Sequence, residues 1–243
     1  MATDLASLKV LLIQIRADHI ASRHERDCVL EMTGLKPDQM SFVNVAVTHK
    51  VKRDLYEDAD AVLIGGSGSH SAVNNDPFTD SLIDDIKRLV DQSVPLFGSC
   101  WGHQFIARAL GGEVIHDTEC GEVGVYDIHA TKEAEEDPLF KGCPETYAGL
   151  MGHHDRVSVL PDGAIELGYS DLCRNQAFRI DGLPVYGTQF HTELLPERLI
   201  ERLSVFRQYM PDDEEFERLK ASMRPTPYSA QLMKRFLEVI VLR

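Results

Sequence analysis

Hydrophobic positions in the first half of the chain alternate between two rhythms. Val10, Leu11, Leu12 and Ile13 are contiguous within residues 9–15, which predicts a strand buried on both faces. Residues 23–32 read as a helix stopped by Gly34 and Pro37. A β-branched, alternating run predicts a second strand over 40–47. Residues 56–64 end in Ala61, Val62, Leu63 and Ile64, a third strand that runs into Gly65-Gly66-Ser67-Gly68. Over 77–90, Leu82, Ile83, Ile86 and Val90 share one helical face, with Pro77 placed in the first turn. Leu96 and Phe97 form a short apolar run after Pro95. Phe105, Ile106, Ala109 and Leu110 then return to helical spacing before Gly111-Gly112. Strands alternating with helices predict a parallel sheet covered on both faces.

The pattern changes after Gly112. Val114, Val123, Val125, Tyr126 and Ile128 sit among turn residues, which predicts short antiparallel strands up to residue 131. Residues 146–159, 165–169 and 176–180 continue this β-rich half, and 183–190 form a further strand ending at His191. Three helical pieces follow, over 196–209, 212–223 and 227–242, punctuated by Pro211, Pro225 and Pro227. No repeat, low-complexity tract or linker interrupts the chain, so 1–243 is expected to form one domain with a helical extension at about 196–225.

Composition narrows the function classes. The chain has 243 residues and a formal net charge of −14, from 25 basic and 39 acidic side chains. No basic cluster offsets that charge locally, so neither nucleic acid nor an anionic membrane is an expected partner. The five cysteines, Cys28, Cys100, Cys120, Cys143 and Cys173, contain no C-x-x-C pair. That spacing argues against a disulfide framework and against structural zinc, and points to the reducing cytoplasm. No secretory signal or membrane-length apolar run is visible.

Candidate chemistry centres on Gly98-Ser99-Cys100-Trp101-Gly102. A strand, a glycine-flanked nucleophile and a helix form a nucleophile elbow, in which a sharp turn presents one side chain at the sheet edge. A thiol nucleophile needs a base and a group to orient that base. His191 and Glu193 lie two apart at a strand end and project to the same side, so the carboxylate can bond the imidazole. Gly65-Gly66-Ser67-Gly68 can present backbone N–H groups to an oxyanion. A phosphate cradle is the rival reading, but no Gly-Lys-Ser/Thr follows to make a P-loop. His153, His154 and Asp155 alternate across a strand, which disfavours a shared metal. His103 is expected beneath the elbow and His70 at the surface, while Cys28, Cys120, Cys143 and Cys173 read as ordinary buried or semi-buried thiols.

Gly98-Ser99-Cys100-Trp101-Gly102-His103-Gln104 followed by Gly187-Thr188-Gln189-Phe190-His191-Thr192-Glu193 resembles the class I glutamine amidotransferase family, in particular glutaminase domains of the GMP synthetase type. Gly111-Gly112-Glu113-Val114, Gly121-Glu122-Val123-Gly124 and Met151-Gly152-His153-His154-Asp155-Arg156-Val157 match further pieces in the expected order. The resemblance implies an α/β fold, a flavodoxin-like three-layer sandwich with a central mainly parallel sheet and a small antiparallel addition. It implies that Cys100 attacks the side-chain amide of glutamine and forms a γ-glutamyl thioester, releasing ammonia. His191 would act as general base and acid, with Glu193 orienting it and the backbone N–H groups of Gly66 and Trp101 holding the oxyanion. Gln104 would contact the glutamine, and Gly68, Gly152, His153, His154 and Asp155 would line its amino-acid end. No metal or cofactor is implied.

The chain departs from the family pattern at four positions. Trp101 is bulkier than the residue often found beside the nucleophile, although its oxyanion role would use only the backbone. Thr192 stands where proline is usual, and Gly152 and His154 replace the usual Ser and Gly of a Ser-His-Gly-Asp stretch. Free glutamine and a γ-glutamyl conjugate therefore both stand as donors, the second making the chain a free-standing γ-glutamyl peptidase or transferase. A non-catalytic relative is a third reading, disfavoured by retention of all three triad residues. No Ser-Gly-Gly-x-Asp-Ser pyrophosphatase loop is present, so an ammonia acceptor would come from a separate synthase subunit. Leu199, Leu203, Phe206 and Met210 are the expected contact for a second copy or such a partner.

Overall fold

The computed structural model describes residues 4–205 and 212–242. In chain order its strands are β1 (Val10–Gln14), β2 (Met40–Asn44), β3 (Ala61–Ile64), β4 (Leu96–Ser99), β5 (Glu113–His116), β6 (Glu122–Ala130), β7 (Thr146–His153), β8 (Asp155–Val159), β9 (Ala164–Tyr169), β10 (Ala177–Ile180) and β11 (Val185–Thr188). The helices are α1 (His19–Thr33), α2 (Val45–Thr48), α3 (Arg53–Glu57), α4 (Thr79–Asp91), α5 (Trp101–Ala109), α6 (Lys132–Glu136), α7 (Pro196–Val205), α8 (Asp213–Ser222) and α9 (Leu232–Phe236).

A nine-stranded sheet runs in the order β2-β1-β3-β4-β11-β10-β9-β6-β7. The first five strands are parallel and the rest pair antiparallel, while β5 and β8 form a separate two-stranded ribbon. The order 2-1-3-4 of the parallel half is the flavodoxin-like one, with sites expected at the carboxyl ends of its strands. The expected α/β sandwich is therefore present, and its antiparallel addition continues the main sheet.

Alternation along the central strands divides the core between two faces. Leu12, Leu63 and Phe97 pack with Val29 of α1 and Phe236 of α9. Leu11, Ile13, Val62, Ile64 and Leu96 pack on the other side with Leu82 and Ile86 of α4 and with Phe105 and Ile106 of α5. Burial on both faces explains why β1, β3 and β4 read as unbroken apolar runs.

Several expected elements differ in extent. Helix α1 begins at His19 because Asp18 caps it, its carboxylate accepting from the backbone N–H of Ile20 and Ala21 at 2.8 and 2.9 Å. The second strand stops at Asn44, whose side chain accepts from Ala46 N and starts the short helix α2 through residues expected to be extended. Pro77 precedes the α4 N-cap, Phe78, and so lies outside the first turn. The expected final helix is broken into a turn at Ser229–Gln231, α9, and a wider turn at Leu237–Val241.

The α7 segment also differs in role. Leu199 and Leu203 are buried against Cys28, Leu150, Leu194, Phe216 and Leu219. They fasten α7 and α8 to the body of the molecule, so they are not available as a contact for another chain. Phe206 and Met210 lie outside the described residues.

Candidate active site

Cys100 is the single residue between the end of β4 and the start of α5, and it takes φ 52° and ψ −105°. A non-glycine residue held there costs on the order of 1–3 kcal/mol, so surrounding contacts must enforce it. Cys100 N donates to Thr188 O at 2.8 Å, and Gly102 N donates to Gly65 O at 3.1 Å. The two bonds pin the elbow to β11 and to the loop after β3. The flanking glycines are required by close approach. A Cβ at Gly98 would sit 2.5 Å from the Gly102 carbonyl, and one at Gly102 would press into the Ile64 carbonyl oxygen. Behind the elbow, the Trp101 ring stacks on Phe105 with centroids 4.3 Å apart and meets the edge of Phe78.

His191 follows β11 and is fixed by its own N–H, which donates to Leu150 O of β7 at 2.8 Å. Its imidazole faces the Cys100 sulfur, and Nδ1 bonds Glu193 Oε1 at 2.7 Å. The second carboxylate oxygen accepts from Ser99 Oγ at 2.6 Å and Thr192 N at 3.1 Å. Burial opposes charge on the imidazole, yet the Glu193 carboxylate and the Cys100 sulfur together outweigh it and raise His191 to about 10. Burial likewise opposes charge on Glu193, but His191 and Ser99 hold the carboxyl well below its usual range. The pair is thus organised around an imidazolium.

The third element is the loop after β3. A Cβ at Gly66 would lie 3.2 Å from His191 Cε1, 3.5 Å from an Arg16 guanidinium nitrogen and 3.6 Å from Cys100 Cβ. A side chain at this position would press on the imidazole. Ser67, Gly68 and Ser69 continue along a cavity of about 240 Å³ that the Cys100 sulfur, Gln104, Gly152 and His154 also line. The thiol sits between the Gly152 carbonyl at 3.9 Å and the Gln189 amide at 3.7 Å.

All the sequence-selected positions converge here, although several side chains are already committed. The Gln104 amide nitrogen donates to Asp155 O at 2.7 Å and to Gln189 Oε1 at 2.9 Å, which uses both of its N–H bonds. His153 is buried and bonds Asp155 O and Glu122 Oε2, both at 3.0 Å. Asp155 accepts from Ser71 Oγ at 2.5 Å and Ala72 N at 3.2 Å, and meets His116 Nδ1 at 2.8 Å. Its carboxylate thus fastens the glycine-rich segment to β8. His70, expected at the surface, borders the cavity and pairs with Asp76 at 3.2 Å. His103 is fully buried against Phe178, and burial pushes its ring down to about 3.

Sequence reasoning missed Ser99, Gln189, Arg16 and Glu122. Ser99 and Gln189 were detectable, since each lies one or two residues along the chain from a selected position, Cys100 and His191 respectively. Arg16 and Glu122 belong to distant segments and gave no comparable signal. Arg16 is buried in an ion pair with Glu25; burial opposes its charge, but the charge and hydrogen bond of Glu25, joined by the charges of Glu193 and Cys100, together outweigh it. Glu122 is a fully buried carboxylate bonded by His153 and by Gln176 at 2.5 Å. Among the described residues no group of three His, Cys, Asp or Glu side chains gathers to hold a metal ion.

This geometry can be compared with known proteins. Residues 35–203, more than half of the chain, match the family described as glutamine amidotransferase class-I. The chain belongs to that family. It is 34% identical over 138 residues to a GMP synthase (glutamine-hydrolyzing) subunit from Archaeoglobus fulgidus, a match covering 57% of this chain and 68% of the relative. The protein of the same name from Methanosarcina mazei is 31% identical over 192 residues, or 78% of this chain and 89% of the relative. A glutamine amidotransferase structure from Thermotoga maritima superposes with a TM-score of 0.77 at 19% identity, covering 96% of this chain and 98% of that one. A glutamine amidotransferase from Methylobacillus flagellatus gives 0.72 at 22%, covering 95% and 94%. Those two likenesses describe the fold. No helix among the described residues is long and apolar enough to cross a membrane.

Proposed function

We propose that the chain hydrolyses the side-chain amide of glutamine or of a γ-glutamyl relative through a thioester on Cys100. The observation that carries this reading is the elbow cysteine facing an imidazole that is itself bonded to a buried carboxylate at 2.7 Å. An imidazole held at about 10 is a strong acceptor for the thiol proton. Sγ bonds to the amide carbon, and the carbonyl oxygen becomes an oxyanion held by the backbone N–H groups of Gly66 and Trp101. Trp101 opens α5, so its N–H has no partner within the helix. His191 returns the proton to the nitrogen as the C–N bond breaks. Water then cleaves the thioester to glutamate and restores the thiol. Glu193 keeps Nδ1 protonated and Nε2 toward the reacting atoms.

Gly68, Gly152 and His154 are the candidates for the substrate's amino-acid end, since they line the cavity beside the sulfur. Gln104, His153 and Asp155 are better placed to shape it, given the bonds they already make. The named relatives are subunits of a glutamine-hydrolysing synthase, which supports a separate synthase partner as ammonia acceptor. The five free thiols fit the cytoplasm. The test is a panel of glutamine and γ-glutamyl amides on wild type and Cys100→Ala. Equal ammonia and glutamate from wild type alone is expected, and equal turnover by Cys100→Ala would refute the reading.

A further inference from the structure

The proposed nucleophile and its proposed base open onto different cavities. Cys100 lines the first, and His191 lines a second of about 300 Å³. The two share a rim formed by Ser67, Gly68, Ser69, Gly152 and His154. A scissile amide lying over the sulfur would therefore place its acyl side in one cavity and its nitrogen, the atom His191 protonates, at the mouth of the other. Apolar residues line the second cavity, among them Ala21, Val123, Leu199 and Leu203. Its size is at the lower end of small-ligand sites, roughly 300–1,000 Å³.

Two guanidinium groups border this cavity, Arg16 and Arg202. Arg16 has its carboxylate in Glu25. Arg202 is only 8% exposed, and its contacts are to the ring of His24, with Nε and Nη2 at 3.3 and 3.2 Å from Nδ1. Among the described residues no carboxylate forms an ion pair with it. Burial, and after it the positive charge of Arg16, lower its pKa, and burial and Arg202 likewise keep His24 below its ordinary value. A buried cation with no carboxylate of its own costs several kcal/mol, and the more distant charges of Glu25 and Glu193 offset only part of it, since the net shift of Arg202 is downward. The chain has 39 acidic residues from which a partner could have been drawn. An open apolar cavity with such a cation at its edge is suited to an amphipathic anion.

We propose that the second cavity is a leaving-group subsite for a γ-glutamyl amide whose amine half carries a carboxylate, as in a γ-glutamyl amino acid, with Arg202 as counter-ion. This inference rests on the triad reading and extends it to the nitrogen side of the bond. The chemistry balances as before. Sγ bonds to the γ-carbonyl carbon, the C–N bond breaks, and His191 gives its proton to the departing amine. Water then releases glutamate and restores the thiol. Glutamine is the substrate that leaves this cavity empty.

The test compares γ-glutamyl-leucine with γ-glutamyl-isoamylamide, the same molecule without its carboxylate, and with glutamine. In wild type, kcat/KM for the leucine conjugate is expected to exceed that for the isoamylamide by about tenfold, mainly through KM, the size of one charge-assisted hydrogen bond. In Arg202→Met that ratio falls to near one, and in Arg202→Lys part of it returns. Calorimetric binding of both conjugates to Cys100→Ala gives the same comparison without turnover. Val123→Trp, at a half-exposed wall position, supplies a second variant: it weakens both conjugates relative to glutamine by filling the cavity. Glutamine hydrolysis with equal use or equal binding of the two conjugates overturns the subsite alone. No turnover of any of the three overturns the hydrolase reading on which it stands.

Discussion

Replacing Glu193 with glutamine isolates what its charge contributes, because the two side chains have nearly the same shape. In the native site Oε1 meets His191 Nδ1 at 2.7 Å, while Oε2 accepts from Ser99 Oγ and Thr192 N. An amide cannot satisfy all three. If its oxygen stays on His191, its NH2 group faces the Thr192 N–H, and two buried donors oppose each other. If the amide flips, Nδ1 becomes the acceptor and Nε2 carries the proton, the wrong tautomer for taking one from Cys100. Losing the charged bond costs about 1.5–3 kcal/mol, and a stranded buried donor about 1–3 kcal/mol more. Together these predict a fall in kcat of about 10²–10⁴-fold with KM little changed. The assay is steady-state release of glutamate from whichever substrate the purified protein turns over. An NMR titration should show the His191 midpoint moving down from about 10 toward its ordinary 6.5. A variant with kcat within tenfold of wild type and an unmoved midpoint would refute the reasoning.

The same pair sets a pH dependence of stability. The folded pKa of His191 lies above 6.5, so its contribution is complete below that value and is lost as pH rises toward 10; that of Glu193 lies below 4.5, so its part is complete above that value and is lost on acidification. Urea midpoints should fall between about pH 7 and pH 10 more steeply in wild type than in His191→Gln, and parallel curves would count against it. Cys100→Gly should be more stable than Cys100→Ala by about 1 kcal/mol, because only glycine relieves φ 52°. Gly102→Ala should cost about 3 kcal/mol or prevent folding, since its Cβ meets the Ile64 backbone and no flexible side chain can yield. Glu122→Ala should cost about 3–5 kcal/mol in a denaturant titration, because it strips the acceptor from buried His153 and Gln176.

What the sequence made legible is what local chemistry encodes. The elbow could be read because a turn this tight admits only glycine at 98 and 102, and the apolar spacing around it marks a strand and a helix. The His191–Glu193 contact could be read because residues two apart on an extended segment face the same way. The second strand was overextended because Val45 and Val47 favour a sheet, while the Asn44 cap decides for a helix. Leu199 and Leu203 looked like an unpartnered face because the surfaces that cover them, at Leu150, Leu194 and Phe216, are far away in sequence or in another element. Asp155 was matched to substrate by its type. Its bonds to Ser71, Ala72 and His116 depend on a fold that joins segments more than 30 residues apart.

The departures from the family pattern become physical at the rim between the two cavities. Gly152 and His154 both lie on it. A Cβ at Gly152 would lie in ordinary contact with His191 Nε2 at 3.8 Å, so a serine in its place would narrow the space beside the imidazole. Ammonia needs little of that space. An amine bearing a side chain and a carboxylate needs all of it to pass toward Arg202. In the proposed subsite the glycine at 152 and the guanidinium at 202 would stand at two ends of one path. The first would leave the approach to the imidazole clear, and the second would supply the charge that an anionic leaving group meets beyond it. Gly152→Ser should accordingly lower kcat/KM for γ-glutamyl-leucine by more than for glutamine. An equal effect on both would separate the rim from substrate choice.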